Sequence, residues 1–207
     1  VPALGGVAAA GGTVGTVLSF GASLGMAKIT VINGLAQAMK VRVAEATIEG
    51  GPLQHLTFEL PGEGRHHVVT STADGASVGE FDSDAGPTSG HFVYNIAGAA
   101  PLVEWTAVSG SRAQVPERKL GAPRWTTTSA DYIFEEPPKQ ISTKGEGGSR
   151  TVLMGYADLS PVYQMDLVDG EERQADIAAT HARWDAGDSQ YLSTWLALAG
   201  KGKDFPG

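Results

Sequence analysis

From Ile29 onward, apolar residues recur at every second position in short runs that glycine, proline and aspartate interrupt. Alternation of this kind places one face of an extended chain against a core and the other toward water. Ile29 to Gly34 reads as the first strand. Lys40 to Ile48 reads as the second, with Val41, Val43 and Ile48 inward and Gly50-Gly51-Pro52 turning the chain after it. Leu56, Phe58 and Leu60 alternate strictly. His67 to Thr72 leads into Asp74-Gly75, a strong hairpin signal, with Val78 to Phe81 returning. Phe92 to Ile96 and Val103 to Val108 add two more strands. Residues 109 to 131 are polar and proline-punctuated, which predicts a long loop or an excursion between sheets. Tyr132 to Phe134 rejoins a sheet, Pro137-Pro138 holds the chain extended, and Thr151 to Met154 is the last strand.

The ends follow other periods. Glu171 to Trp184 lacks glycine and proline and carries Ile177, Ala178, His181 and Trp184 at helical spacing. A second helix follows, capped by Asp188-Ser189 and stopped at Gly200, with Tyr191, Leu192, Trp195, Leu196 and Ala199 on one face. The short Asp185-Ala186-Gly187 connection makes the pair an αα-hairpin. At the other end, residues 1 to 27 carry no charge. As a helix this stretch would cover a hydrocarbon core of ~30 Å at ~1.5 Å per residue. Its side chains sort by size: Ala8, Gly12, Gly15, Thr16, Ser19, Ala22 and Ser23 on one side, Val7, Val14, Val17, Leu18, Phe20 and Leu24 on the other, with Gly11, Gly21 and Gly25 as exceptions on the bulky side. Small faces of this kind let helices approach closely. Each glycine lowers helix propensity by ~1 kcal/mol, so packing in a protein interior and a disordered leader are the other readings of the segment.

The prediction is a mainly β chain: an antiparallel β-sandwich over 28–160, an apolar N-terminal helix over 1–27, and a helical hairpin over 171–200. The 28 glycines and 11 prolines among 207 residues agree with many turns. A formal charge of −8 argues against nucleic acid, which needs a basic face. The absence of cysteine excludes disulfides and thiolate chemistry. The chain starts at Val1 without a basic segment ahead of the apolar run, so it reads as a processed product or part of a longer protein and not as a secretory signal.

Candidate chemistry is sparse. Gly21-Ala22-Ser23-Leu24-Gly25 resembles the nucleophile elbow of α/β-hydrolases, where a serine sits on a tight strand-to-helix turn. The resemblance implies Ser23 as nucleophile, with a later acid and His181 following in the family's order. The segment after it reads as a strand where that family has a helix. His66 and His67 invite a metal, joined by His55 or His91 from neighbouring strands, yet consecutive strand residues face opposite ways. His181, near Trp184, reads as a packing residue. Asp74, Glu80, Asp82 and Asp84 make an acidic patch, and "DSDAG" begins like a calcium loop without its later ligands. Trp105, Trp125 and Tyr132 form either an aromatic platform or core. No cofactor motif is present. Residues 40–83, with strand, polar turn, Leu60-Pro61-Gly62 and a valine–histidine strand, are similar in rhythm to PEGA-like surface β-modules. That likeness implies a small displayed sandwich without catalysis.

The reading that follows is a non-enzymatic displayed binding or assembly module. It associates with a membrane, on a side that Lys28, Lys40 and Arg42 do not settle, or with partner subunits. Residues 1–27 mediate this through Gly12, Gly15, Ser19 and Ala22, and the loops around 82–90 and 109–130 recognise a protein partner. The alternative is a hydrolase, serine-based at Ser23 or metal-based near His66, His67 and His91.

Overall fold

The computed structural model describes residues 26–61, 65–84, 91–108, 118–135, 137, 149–185 and 189–199. Residues 1–25, with the expected apolar helix, its association face of Gly12, Gly15, Ser19 and Ala22, and Ser23, lie outside the described residues, as does most of the 82–90 and 109–117 stretches. No helix among the described residues is long and apolar enough to cross a membrane.

The chain is mainly β. Its strands are β1 (Met26–Ile32), β2 (Met39–Val43), β3 (Ala46–Gly50), β4 (His55–Pro61), β5 (Arg65–Thr72), β6 (Ser77–Asp84), β7 (His91–Asn95), β8 (Leu102–Val108), β9 (Arg118–Gly121), β10 (Trp125–Thr128), β11 (Tyr132–Ile133) and β12 (Ser149–Gly155). A 3₁₀ turn spans Ile96–Gly98, and three helices follow: α1 (Pro161–Asp166), α2 (Glu171–Trp184) and α3 (Ser189–Ala199).

The strands form three four-stranded sheets, in the orders β10-β7-β1-β4, β3-β2-β5-β6 and β11-β12-β8-β9. Most pairs are antiparallel, but β1 runs parallel to β7 and β11 parallel to β12, so the expected all-antiparallel pairing is corrected to a mixed one. Alternation explains the layering. Ala27, Ile29 and Val31 of β1, Phe58 of β4, and Phe92 and Tyr94 of β7 meet Met39, Val41, Val43, Ile48 and Val68 of the second sheet in one cluster. Ile32 and Val93, on the opposite face of the first sheet, meet Leu102, Phe134 and Leu153 of the third. A strand buried on both faces shows a nearly continuous apolar run, as "ITVI" does. Each fully buried large side chain of this kind contributes ~1.5–3 kcal/mol of transfer free energy.

One expectation is corrected at the level of strands. Residues 40–48 are a hairpin and not one strand: Ala44 takes φ 51°, and Val43 pairs with Ala46. Of the two readings of residues 109–131, the excursion between sheets fits the described part, because β9 lies in the third sheet and β10 at the edge of the first. The Asp74-Gly75 turn is found as expected. Gly75 has φ 96°, the Thr72 amide donates to the Ala76 carbonyl at 2.9 Å, and the Thr72 hydroxyl donates to the Asp74 carboxylate. The 40–83 stretch, likened to a surface module, is not a unit by itself, since β4 pairs with β1 in a different sheet from β2, β3, β5 and β6.

Helix α1 was not foreseen, although Ser160-Pro161 is a recognisable start with proline at the first helical position. Gln164, fully buried, donates to the Ala157 and Leu159 carbonyls, and Gln174 of α2 donates to those of Met165 and Val168. Helices α2 and α3 pack as the expected pair. Ile177, Ala178 and Trp195 share a small core with Met165 and Val168. Leu196, placed by periodicity on the buried face with Trp195, is instead 51% exposed.

Candidate functional site

A concavity lies where the 3₁₀ turn, the β9–β10 turn and α2 meet. The bend that forms one of its sides is held by Asn95. That side chain is fully buried, donating to the Ala100 carbonyl (2.7 Å) and accepting from the Ala100 amide (3.0 Å). The clamp closes residues 95–100 into a tight bend in which Ala97 (φ 54°) and Gly98 (φ 67°) are both left-handed. At Gly98 a Cβ would stand 2.8 Å from the Ala122 carbonyl oxygen, so glycine is required by both space and conformation.

Helix α2 is pinned to this bend by two bonds. The Thr180 hydroxyl donates to the Ala97 carbonyl (3.4 Å), and His181 Nε2 donates to that of Ala99 (2.9 Å). His181 is fully buried, stacks on Trp195 with ring centroids 4.2 Å apart and planes within 2°, and places Nδ1 2.5 Å from Asp185 Oδ2. Asp185 Oδ1 accepts from the Ala36 amide at 2.8 Å. Because a carbonyl can only accept, Nε2 carries a hydrogen, and the pair's other proton lies between Nδ1 and the carboxylate. The packing role expected of His181 is thus joined by a polar one: the imidazole ties α2, α3, the bend and the β1–β2 connection together.

Between bend and helix opens a cleft of about 630 Å³, within the range of small-molecule sites. Val78, Leu120 and Ile177 give it apolar walls; Arg124, Arg173, Arg183, Asp176 and Thr180 supply polar groups. Arg173, Asp176, Thr180 and Arg183 follow the helical period along α2, and Arg124 enters from the β9–β10 turn. Among the described residues none of the three guanidiniums enters an ion pair. That of Arg183 lies over the Trp184 ring, 4.8 Å from its centroid. Nearby, burial pushes the Tyr94 phenol up, while a 2.6 Å bond to the Thr70 hydroxyl and the Arg124 charge pull it the other way.

The residues singled out in sequence are placed apart. His66 is buried on the face of β5 that carries Val68, whereas His67 is exposed on the opposite face. Both ring nitrogens of His67 are occupied, Nδ1 2.9 Å from Asp82 and Nε2 3.2 Å from Glu80. His91 lies on the side of the first sheet turned away from β5, with Nε2 2.5 Å from the Thr30 hydroxyl, itself 2.6 Å from that of Thr57. Burial, with the Lys28 charge second, pushes His91 down to about 4. The His55 ring lies tilted against Phe134, centroids 5.2 Å apart, and burial holds its pKa low while the Glu135 charge pulls it the other way. Among the described residues no group of three or more His, Cys, Asp or Glu side chains is arranged to hold a metal.

The acidic patch is likewise divided: Glu80 and Asp82 serve His67, while Asp74 sits in the β5–β6 turn, its carboxyl held low by the Thr72 hydroxyl. The three aromatics do not form one platform. Trp125 packs with Phe81, Phe92 and Tyr94 between the first two sheets, whereas Trp105 and Tyr132 both neighbour Val152 across the third.

Sequence reasoning overlooked the arginine cleft. The α2 stripe was visible, but beside Ile177 and His181 it resembles any solvated helix face. Only the fold brings Arg124 and the bend to it. No protein-family model, curated protein or solved structure matches the chain.

Proposed function

We propose that the protein is a non-enzymatic binding or assembly module whose layered β framework, a sandwich in outline, presents the cleft beside α2 to a small ligand. The observation that carries this reading is the cleft itself: a preformed hollow of about 630 Å³ with apolar walls and three arginines outside any ion pair of the described residues. A bound molecule has surface to bury there and charges to meet. The Thr180 hydroxyl is engaged with the Ala97 carbonyl, and the imidazole of His181 is buried behind the cleft, committed to Asp185 and Ala99. These commitments favour holding a ligand over transforming it.

The test is a thermal-shift screen of the intact chain against small metabolites, repeated on Ala179→Trp, which fills the cleft from α2. Ligands that raise the melting temperature of the native chain, lose that effect in Ala179→Trp, and are recovered unchanged support the module. Ligands that act equally on both proteins, or are recovered as products, contradict it.

The same proposal attaches the module through residues 1–27 to a membrane or to neighbouring subunits. It is supported by the uncharged run up to Lys28 and the small face of Gly12, Gly15, Ser19 and Ala22. Alkaline carbonate extraction and sizing of the full chain, against a chain beginning at Met26 where β1 starts, separates the outcomes. Pelleting or large assemblies seen with the full chain alone are expected; two soluble monomers refute the attachment.

A further inference from the structure

We infer that the cleft takes a small dianion, a molecule bearing a phosphate monoester or two carboxylates; this rests on the cleft being the binding surface proposed above. The first argument is charge. Three guanidiniums face one carboxylate, Asp176, which leaves a local surplus of +2 in a chain whose formal charge is −8. With 23 acidic residues against 15 basic ones, counter-charges are plentiful, yet these three arginines take none from the described residues. A monoanion leaves one positive charge unmatched, and a dianion balances the site.

The second argument is how the arginines are seated. Arg173 of α2 lies against Gly121: a Cβ there would meet its Cδ at 3.6 Å and Nη1 at 3.9 Å. The stem of Arg124 passes Gly98 in the same manner, with Cγ 3.7 Å from where a Cβ would be. Both glycines have positive φ, +74° and +67°, so the backbone that turns the chain also leaves the space in which each arginine runs. The two guanidiniums therefore come from opposite walls, one from the helix and one from the β9–β10 turn. Arg183, with its Cζ 4.8 Å from the Trp184 ring centroid, adds a third guanidinium on α2. Planar forks match the oxygens of phosphate and carboxylate in pairs, and such charge-assisted bonds are the strong ones. The apolar wall of Val78, Leu120 and Ile177 is suited to the uncharged body of the ligand.

Calorimetric titration of the intact chain with inorganic phosphate, succinate and acetate tests this, at equal ionic strength and about pH 8, where phosphate is doubly charged. Phosphate or succinate is expected to bind at least ~10-fold more tightly than acetate, the tighter of the two identifying the anion's chemistry. Arg124→Gln and Arg173→Gln are each expected to weaken that binding by ~10-fold or more, as loss of a charged hydrogen bond does. Arg150→Gln, whose partner is Asp131, is expected to change nothing, with melting curves confirming that all three variants fold. Equal affinity for acetate, or binding that survives both cleft substitutions, overturns the inference. If no anion saturates but neutral compounds bind in a manner abolished by Ala179→Trp, the dianion is refuted and the binding module stands; if neither binds, both fail.

Discussion

Asp185→Ala removes the acceptor that His181 and the Ala36 amide share, and its cost follows from burial. His181 has no exposed surface and Asp185 only 3%, so water does not replace the lost oxygens without opening the helix pair. An unsatisfied buried donor or acceptor costs ~1–3 kcal/mol, and removing one partner of a buried ion pair costs ~3–5 kcal/mol. The stack on Trp195 holds the imidazole in place, which limits relaxation, so about 3 kcal/mol is expected. His181→Phe keeps a flat ring on Trp195 but abandons the carboxylate and the Ala99 carbonyl, and a similar loss is expected. In His181→Phe/Asp185→Ala neither residue leaves a buried charge. The double variant is therefore expected to lose less than the two single losses together, by at least ~1 kcal/mol. Urea unfolding followed by tryptophan fluorescence and by far-ultraviolet circular dichroism measures all three. Single losses below ~1 kcal/mol that add simply would refute the view that this pair pins α2 to the bend.

Two glycines are expected to differ in their tolerance of alanine. At Gly34 a Cβ meets backbone atoms of Ala99 and Ala100 at 2.8–2.9 Å, so Gly34→Ala is expected to lose ~2–3 kcal/mol. At Gly155 the closest atoms are the Ile32 Cδ1 methyl and the Phe134 ring edge, whose side chains can shift, and the loss is expected to be smaller in the same urea titration. Gly98→Ala combines φ +67° with the Ala122 carbonyl at 2.8 Å and is expected to destabilise the fold by ~2 kcal/mol and to disturb the cleft, seen as shifted Thr180 and Arg124 amide resonances. His91 titrates near 4 when folded and near 6.5 when unfolded. The unfolded chain therefore binds the extra proton, and the stability difference is absent above about pH 6.5 and grows as pH falls toward 4. Unfolding curves of native protein and His91→Gln across that window are expected to diverge by about 1–2 kcal/mol after allowance for screening of the half-buried ring; parallel curves would contradict it.

The parts of the fold legible in the sequence are those set by local period. Leu56 and Phe58, or Val41 and Val43, alternate because one face of their strand is buried. Asp74-Gly75 turns because glycine accepts φ 96° without strain. Helix α2 shows in the spacing of Ile177, Ala178 and His181. What stayed hidden depends on distant partners. Ala44-Glu45 has no turn chemistry, and the register of β2 on β3 and β5 sets the left-handed φ at Ala44. β9 and β10 are four residues each and rich in Lys, Arg and Thr, so their strand character comes from β8 and β7, which they pair with. His181 could be placed on a buried face, but its acceptor at Ala99 lies 82 residues away. The cleft is hidden for the same reason, since Arg124 and Arg173 come together only when the β9–β10 turn settles beneath α2.

The most direct test is a map of backbone amide shifts for the intact chain saturated with whichever of inorganic phosphate and succinate binds more tightly. One contiguous set of changes is expected, at residues 97–98, 121–122, 124 and 173–184. Changes scattered over Lys40, Lys119 and Arg150, or none with either anion at saturating concentration, would contradict the anion-binding cleft.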